Sequence, residues 1–173
     1  MQKHYLTLKK NKAMECYYKS PIGIVHIIAD NEDRISRIAV LDDELDETAP
    51  ATPALQMAVE QLKEYFAGKR VNFDLPLQQP GSAFQQRVWQ QLMAIKYGTT
   101  ITYTQQSKLM NDPLAVRAIA AANGKNNLWI VVPCHRVIGS DGSLTGYAGG
   151  VWRKRWLIDH EAKVAGVGQA TLF

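Results

Sequence analysis

Cysteine is scarce, with only Cys16 and Cys134 in 173 residues. Two thiols are too few for the disulfide framework of a small secreted scaffold. Long apolar runs are missing as well. The longest uninterrupted ones span about five or six residues, against the ~20 that a membrane-crossing helix needs. The opening residues Met1-Gln2-Lys3-His4-Tyr5-Leu6-Thr7 lack the apolar core, about 7–15 residues long, of a secretory signal. Internal repeats and low-complexity segments are absent. These gaps together lead us to expect a cytoplasmic protein with reduced thiols and no membrane partner. Apolar types make up 46% of the chain and charged types 21%, which excludes a disordered polar chain. The length fits one ordinary domain or two small ones.

The net charge of +4 is unevenly divided. Residues 1–80 carry 10 Lys+Arg against 12 Asp+Glu, and residues 81–173 carry 10 against 4. A basic half suggests an anionic partner, with nucleic acid first in order, although a solvated basic face has the same composition. The patterning divides the chain in the same way. Residues 1–12 read as a polar tail. Residues 14–19, 24–29 and 34–40 read as three short strands of an antiparallel meander, with turns at Ser20-Pro21-Ile22-Gly23 and Asp30-Asn31-Glu32-Asp33. The acidic run 42–47 reads as a solvated loop. Thr52 then caps a helix whose Leu55, Val59, Leu62 and Phe66 share one face, and Ala67-Gly68 ends it. A further short strand is predicted over 71–77. The Pro/Gly content of residues 75–82 marks a linker, giving a supporting unit at 13–78 and a second unit at 79–173.

Beyond the linker, Ser82 can cap a helix carrying Phe84, Val88, Leu92 and Ile95. Thr104 opens a short helix over 105–110, and Pro113 suits the first turn of another over 114–123, ended by Gly124. Two short helices around a tight turn match a helix-turn-helix. In the second, Ala115, Ala118, Ala120, Ala121 and Ala122 leave Arg117 standing on a nearly bare surface. Residues 128–132 form an apolar strand or core segment that leads into Pro133-Cys134-His135-Arg136-Val137. A last helix is predicted over 151–162, with Trp152 and Trp156 expected to pack in the core.

Cys134 beside His135 carries the candidate chemistry, because a thiolate is the reactive form and a neighbouring base can generate it. On spacing alone, a buried inert cysteine is the commoner outcome for such a pair. His26 and Cys16 do not assemble a zinc set, so no metal is expected.

Residues 130–137, Ile-Val-Val-Pro-Cys-His-Arg-Val, resemble the active-site signature of the O6-alkylguanine-DNA alkyltransferases, also called methylated-DNA–protein-cysteine methyltransferases. The resemblance spans about residues 82–162. It includes Val88-Trp89, Thr102-Tyr103, Arg117-Ala118, Ala122-Asn123-Gly124, Gly146-Tyr147-Ala148-Gly149-Gly150 and His160-Glu161. In the first half it is looser, through Ser20-Pro21-Ile22-Gly23 and Tyr65-Phe66-Ala67-Gly68. It implies an α/β N-terminal domain (a small antiparallel sheet plus helix, ribonuclease-H-like) and a mostly helical, winged-helix-like C-terminal domain.

The resemblance also implies roles. Cys134 is the nucleophile and permanent alkyl acceptor, His135 takes its proton through a water, Glu161 orients His135, and Asn126 braces the turn around the cysteine. Arg117 enters the base stack from the minor groove and fills the space of a flipped nucleotide. Tyr103 rotates and hydrogen-bonds the base, backbone groups at Cys134, Val137 and Ala148 read its edge, and Tyr147 lines the pocket. The implied partner is double-stranded DNA containing O6-alkylguanine, with O4-methylthymine as a second substrate, handled by a monomer without cofactor. Two departures stand out: Asn127 replaces a common proline, and Ala120 a common glycine. A lesion-binding protein that does not repair and a Cys134-His135-Glu161 thiol hydrolase are the competing readings. The first adds no methyl to Cys134, and the second leaves Arg117 without a purpose.

Overall fold

The structure, a computed structural model, describes residues 14–167. The tail expected over residues 1–12 lies outside them. Strands β1 (Met14–Ser20), β2 (Gly23–Ala29) and β3 (Ile35–Leu41) form an antiparallel sheet in sequence order. Tyr17 stands opposite His26, and His26 opposite Ala39. At the β1–β2 turn Gly23 has φ +123°, and a Cβ there would come within 2.8 Å of the Leu41 carbonyl. Only glycine satisfies both constraints without strain.

Helix α1 (Pro53–Phe66) lies against this sheet. The Thr52 side chain accepts the Leu55 amide at 3.3 Å, and proline occupies the first turn, where its missing N–H costs nothing. Leu55, Val59 and Leu62 of α1 share a core with Cys16, Val25, Ile27 and Ile38 of the sheet. Burying each of the larger aliphatic side chains contributes about 1.5–3 kcal/mol.

Residues 71–77 do not form the strand expected there. Pro76 has no amide to donate, and the only pairing is a bridge at Leu77, where Ile35 N–H donates to the Pro76 carbonyl and Gln78 N–H to the Ile35 carbonyl. The Gln61 side chain clamps the segment instead, donating to the Asp74 carbonyl at 2.8 Å and accepting the Asp74 amide at 2.9 Å.

The second half is mostly helical. Helix α2 (Ala83–Met93) begins with a reciprocal capping box between Ser82 and Gln85. Helix α3 (Tyr103–Leu109) begins with another, between Thr102 and Gln105, so the cap is Thr102 rather than Thr104. Helix α4 (Val116–Gly124) starts later than Pro113 suggested. The Ala115 amide donates to the Asp112 carbonyl and Asn111 has φ +57°, so residues 111–115 are spent on the turn. A buried amide pair joins α3 to α4, with Asn123 donating to Gln106 at 2.8 Å. Strands β4 (Ile101–Thr102) and β5 (Val137–Ile138) pair in parallel, and at two residues each they leave no periodic signal in the sequence.

Helix α5 (Val151–Ala165) runs past the expected end at residue 162 and is closed by Gly166 in the left-handed region. Its buried face is Arg153, Lys154, Leu157, Glu161 and Ala162. Trp152 is therefore not a core residue. It is 53% exposed, because the helix turns its charged residues inward. Trp156 is half-buried, stacked on His160 with ring centroids 4.8 Å apart. None of the described helices is long and apolar enough to cross a membrane.

Candidate active site

Residues 126–136 position the reactive thiol. Leu128–Val132 is not a strand but a buried chain of tight turns, tied to the sheet by one bridge to Ile38. Trp129 N–H donates to the Ile38 carbonyl at 3.0 Å, and Ile38 N–H to the Asn127 carbonyl at 2.8 Å. Ile130 adopts φ +72°. That is a strained conformation for a β-branched residue, costing about 1–3 kcal/mol, and such strain persists only where the surroundings over-determine it. Asn126 supplies much of that determination. Its Oδ1 accepts the Leu128 amide at 2.9 Å, and its Nδ2 donates to the Val132 carbonyl at 2.8 Å and to Cys134 Sγ at 3.3 Å.

Cys134 opens a single 3₁₀ turn, Cys134–Arg136, and is 8% exposed. Burial pushes its thiol up, while the Asn126 hydrogen bond and the Lys154 charge work the other way. The resting group is a neutral thiol, so a base must take its proton before the sulfur reacts.

His135 and Glu161 lie behind it, both fully buried. His135 Nε2 is 2.7 Å from Glu161 Oε1. Burial lowers the His135 pKa against the pull of Glu161, so the ring is neutral at pH 7. Burial alone would raise the Glu161 pKa, but His135 and Arg136 outweigh it and hold the carboxyl far below the ordinary range. An ionised carboxylate only accepts, so Nε2 carries the ring proton and Nδ1 keeps its lone pair. Nδ1 has no hydrogen-bond partner among the described residues. Arg136 grips the same carboxylate twice, through Nε at 2.8 Å and Nη2 at 3.1 Å, and donates Nη1 to the Ile95 carbonyl. Gly98 N–H reaches Glu161 Oε2 at 3.3 Å; a Cβ on Gly98 would stand 2.5 Å from that of Ala165 and block the approach.

In front of Cys134, a small pocket is walled by Tyr103, Asn123, Asn126, Trp129, Gly146 and Tyr147, with Ala148 at its edge. Its free volume is about 10 Å³, room for no more than a water molecule. Lys154 stands nearby, fully buried. Its Nζ donates to the Thr145 carbonyl at 3.1 Å and lies 5.7 Å from the centre of the Tyr103 ring. Burial without a carboxylate partner lowers its pKa to about 8, against a smaller opposing effect of Cys134. Among the described residues, no group of three or more His, Cys, Asp or Glu side chains could hold a metal ion.

Comparison with known proteins places this arrangement. Residues 83–163 match the family model described as "6-O-methylguanine DNA methyltransferase, DNA binding domain", and residues 14–79 match its "ribonuclease-like domain". The constitutive methylated-DNA–protein-cysteine methyltransferase of Bacillus subtilis is 48% identical over 139 residues, which cover 76% of this chain and 84% of that one.

The chain belongs to the 6-O-methylguanine DNA methyltransferase family.

The crystal structure of the Mycobacterium tuberculosis O6-methylguanine methyltransferase superposes with a TM-score of 0.78 at 36% identity, covering 93% of this chain and 98% of that one. The same organism's OGT in complex with DNA superposes with a TM-score of 0.77 at 40% identity, covering 87% and 93%. The fold is the one expected, a small antiparallel sheet plus helix followed by a helical DNA-binding domain. The chain is a DNA-repair methyltransferase, with DNA as its partner and a cysteine of its own as the alkyl acceptor.

For a member of this family, the residues singled out from sequence fall in four places. Cys134, Asn126, Tyr103, Tyr147 and Ala148 meet at the pocket, and His135 and Glu161 form the buried pair behind it. Arg117 is exposed on α4, away from the pocket wall. Val137 is not on that wall. Its side chain is fully buried in β5, and its amide is spent on the Cys134 carbonyl. Three residues that touch this site went unnoticed in the sequence: Arg136, Lys154 and Tyr65, whose hydroxyl donates to Glu161 Oε1 at 2.8 Å. Arg136 lies inside the matched signature and could have been found there. Lys154 is flanked by Arg153 and Arg155, with no local signal that marks it as buried, and Tyr65 is 96 residues from its partner.

Proposed function

We propose that the chain removes the alkyl group of O6-methylguanine in duplex DNA, and of O4-methylthymine, by irreversible transfer to Cys134. The observation that carries this reading is the buried His135, tied to Glu161 through Nε2 with Nδ1 unpaired, next in sequence to a buried neutral thiol. The Cys134 proton passes to His135 Nδ1 through a water. Sγ then attacks the alkyl carbon; the S–C bond forms as the C–O6 bond breaks, and its electron pair leaves with guanine, which is reprotonated. Glu161 orients His135 and balances the imidazolium that forms. Lys154 adds positive potential where the thiolate develops. A thioether has no leaving group to return, so each chain acts once and needs no cofactor.

Recognition follows from the α4 surface. Its alanines let the helix approach closely, and Arg117 is the long cationic group that takes the place of a base flipped out through the minor groove. Minor-groove contact is largely sequence-independent, which suits a search for damage anywhere. A pocket of about 10 Å³ cannot hold a purine, so Tyr103, Tyr147 and the glycine-flanked 146–150 segment separate as the base enters. Tyr103 and the backbone of Cys134 and Ala148 contact its edge. The Val137 amide is already spent, so only its carbonyl is left to do so as the pocket opens. We assign residues 13–78 as a supporting unit and 79–173 as the DNA-binding and transfer unit of a cytoplasmic monomer.

The test is incubation with duplex DNA bearing one O6-methylguanine, followed by peptide mass analysis. One methyl per chain, on the Cys134 peptide, is expected. Label on Cys16, more than one equivalent, or unmodified protein after tight binding would each overturn the assignment.

A further inference from the structure

Among the described residues of the first half, one side chain hydrogen-bonds to the His135–Glu161 pair. Tyr65, near the end of α1, is fully buried, and its hydroxyl donates to Glu161 Oε1 at 2.8 Å, the same oxygen that His135 Nε2 approaches at 2.7 Å. We propose that Tyr65 is a positioning residue for alkyl transfer: by sharing Oε1 with His135, it fixes the carboxylate and limits the basicity that Glu161 confers on the imidazole. The proposal rests on His135 being the base that accepts the Cys134 proton.

The geometry makes this bond one-directional. Glu161 is ionised and only accepts, so the phenol is the donor. Burial, and then the Glu161 charge, push the Tyr65 hydroxyl well above its ordinary value, so the donor keeps its proton throughout the working range. The ring is held in place by Phe66, Phe73, Tyr97 and His160, with centroids 5.4, 5.5, 6.2 and 5.4 Å away. Its own carbonyl is 2.8 Å from His160 Nε2. The hydroxyl therefore has a fixed address. A phenol turned elsewhere in this apolar cage would be buried without a partner.

Every charged or titratable group facing the His135–Glu161 pair can be named. Among the described residues, Tyr65 comes from α1, Tyr97 from the segment after α2, Cys134 and Arg136 from the 3₁₀ turn, Tyr147 from the segment before α5, and Lys154 and His160 from α5. Arg136 and Lys154 are cations that disfavour a charged His135, and Glu161 is the one anion that favours it. The hydrogen bond from Tyr65 withdraws charge density from the oxygen on which that anion acts. Without it, Oε1 pulls harder on the Nε2 proton and Nδ1 becomes more basic. His135 then stays protonated to higher pH, where it cannot accept the thiol proton.

The test uses the full chain and two readouts: the pH dependence of Cys134 alkylation by iodoacetamide, and single-turnover methyl transfer from O6-methylguanine duplex. In Y65F, the acid limb of both profiles is expected to move to higher pH by about 0.5–1 unit. Phe73→Leu, which loosens the same cage but removes no hydroxyl, should lower thermal stability and leave the limb in place. An unmoved limb in folded Y65F, or an equal shift in F73L, overturns the proposal. If Y65F does not fold, 3-fluorotyrosine at position 65 is the second probe. Its more acidic hydroxyl should move the limb to lower pH, and an unchanged limb overturns the proposal equally. A wild-type chain that takes no methyl from DNA would defeat the functional reading instead, while the iodoacetamide profile would still report on Tyr65.

Discussion

Cys16 and Cys134 offer a comparison between the two halves of the molecule. Both are buried free thiols, and in both burial pushes the pKa up, to about 11 for Cys16. Around Cys16 the remaining influence, the charge of Glu15, raises it further. Around Cys134 an amide hydrogen bond and a buried lysine act in the opposite sense. Burial therefore does not distinguish a structural cysteine from a reactive one, whereas the polar groups built around it do. The contrast extends to the halves themselves. The sheet and α1 bury almost only apolar side chains, while His135, Arg136, Arg153, Lys154 and Glu161 are buried in the second half. Buried charges are costly unless paired. Arg153 is spent on Asp42 and on the Ile22 and Gly149 carbonyls, and the gathering of the other four around Cys134 and Glu161 marks where the chemistry is.

The sharpest way to break this comparison is to exchange the thiols' fates. Cys134→Ala should abolish methyl transfer while leaving duplex binding, measured by fluorescence anisotropy, within a few-fold of wild type. Cys16→Ala should keep one methyl per folded chain. Next in size is Glu161→Gln. It leaves Arg136 as a buried charge without its anion, at a cost of about 3–5 kcal/mol in urea unfolding, and it slows transfer in whatever remains folded. In the first half, Leu62→Ala should cost about 2–5 kcal/mol through cavity formation, yet leave the transfer rate per folded molecule unchanged. A loss of rate larger than the loss of folded protein would mean that the sheet–helix core does more than support.

Arg117→Ala is expected to weaken duplex binding about tenfold and reduce the salt dependence by about one counterion, with iodoacetamide alkylation of Cys134 unaltered. The smallest effect is a pH dependence. His135 lies below its ordinary value of 6.5, and Glu161 far below 4.5, in the folded chain. Below each ordinary value the unfolded chain takes up a proton that the folded chain refuses, so stability should fall as pH drops through 6.5 and further below 4.5. Glu161→Gln should flatten the lower step, as read from urea midpoints across the acid range.

Much of the fold was legible because its signals are local. Short apolar runs between two turn signals specified β1 to β3, and Thr52 and Ser82 capped the helices expected of them. The errors arose where a local signal was overruled. Pro76 and the Gln61 clamp displaced a strand at 71–77, and the turn at 111–115 consumed the first residues of the helix expected over 114–123. The five apolar residues at 128–132 read as a strand or a core segment, and the structure makes them the latter, because the Asn126 side chain folds them into turns around a strained Ile130. In α5 the tryptophan spacing suggested an inward apolar stripe. The structure keeps Trp156 packed against the core but leaves Trp152 exposed, because Arg153, Lys154 and Glu161 of the same helix turn inward.

By itself the sequence determined the order of elements, the chemical identity of the Cys134-His135 pair and, through its spaced motifs, the family. Those depend on residues within one turn or one signature of each other. Only the tertiary structure decided that Glu161 serves His135, Arg136 and Tyr65 at once, and that the first half contributes a hydroxyl to the site of the second. Hydrogen bonds among side chains as much as 96 positions apart leave no periodicity in a sequence, because they are set by how the packed elements meet.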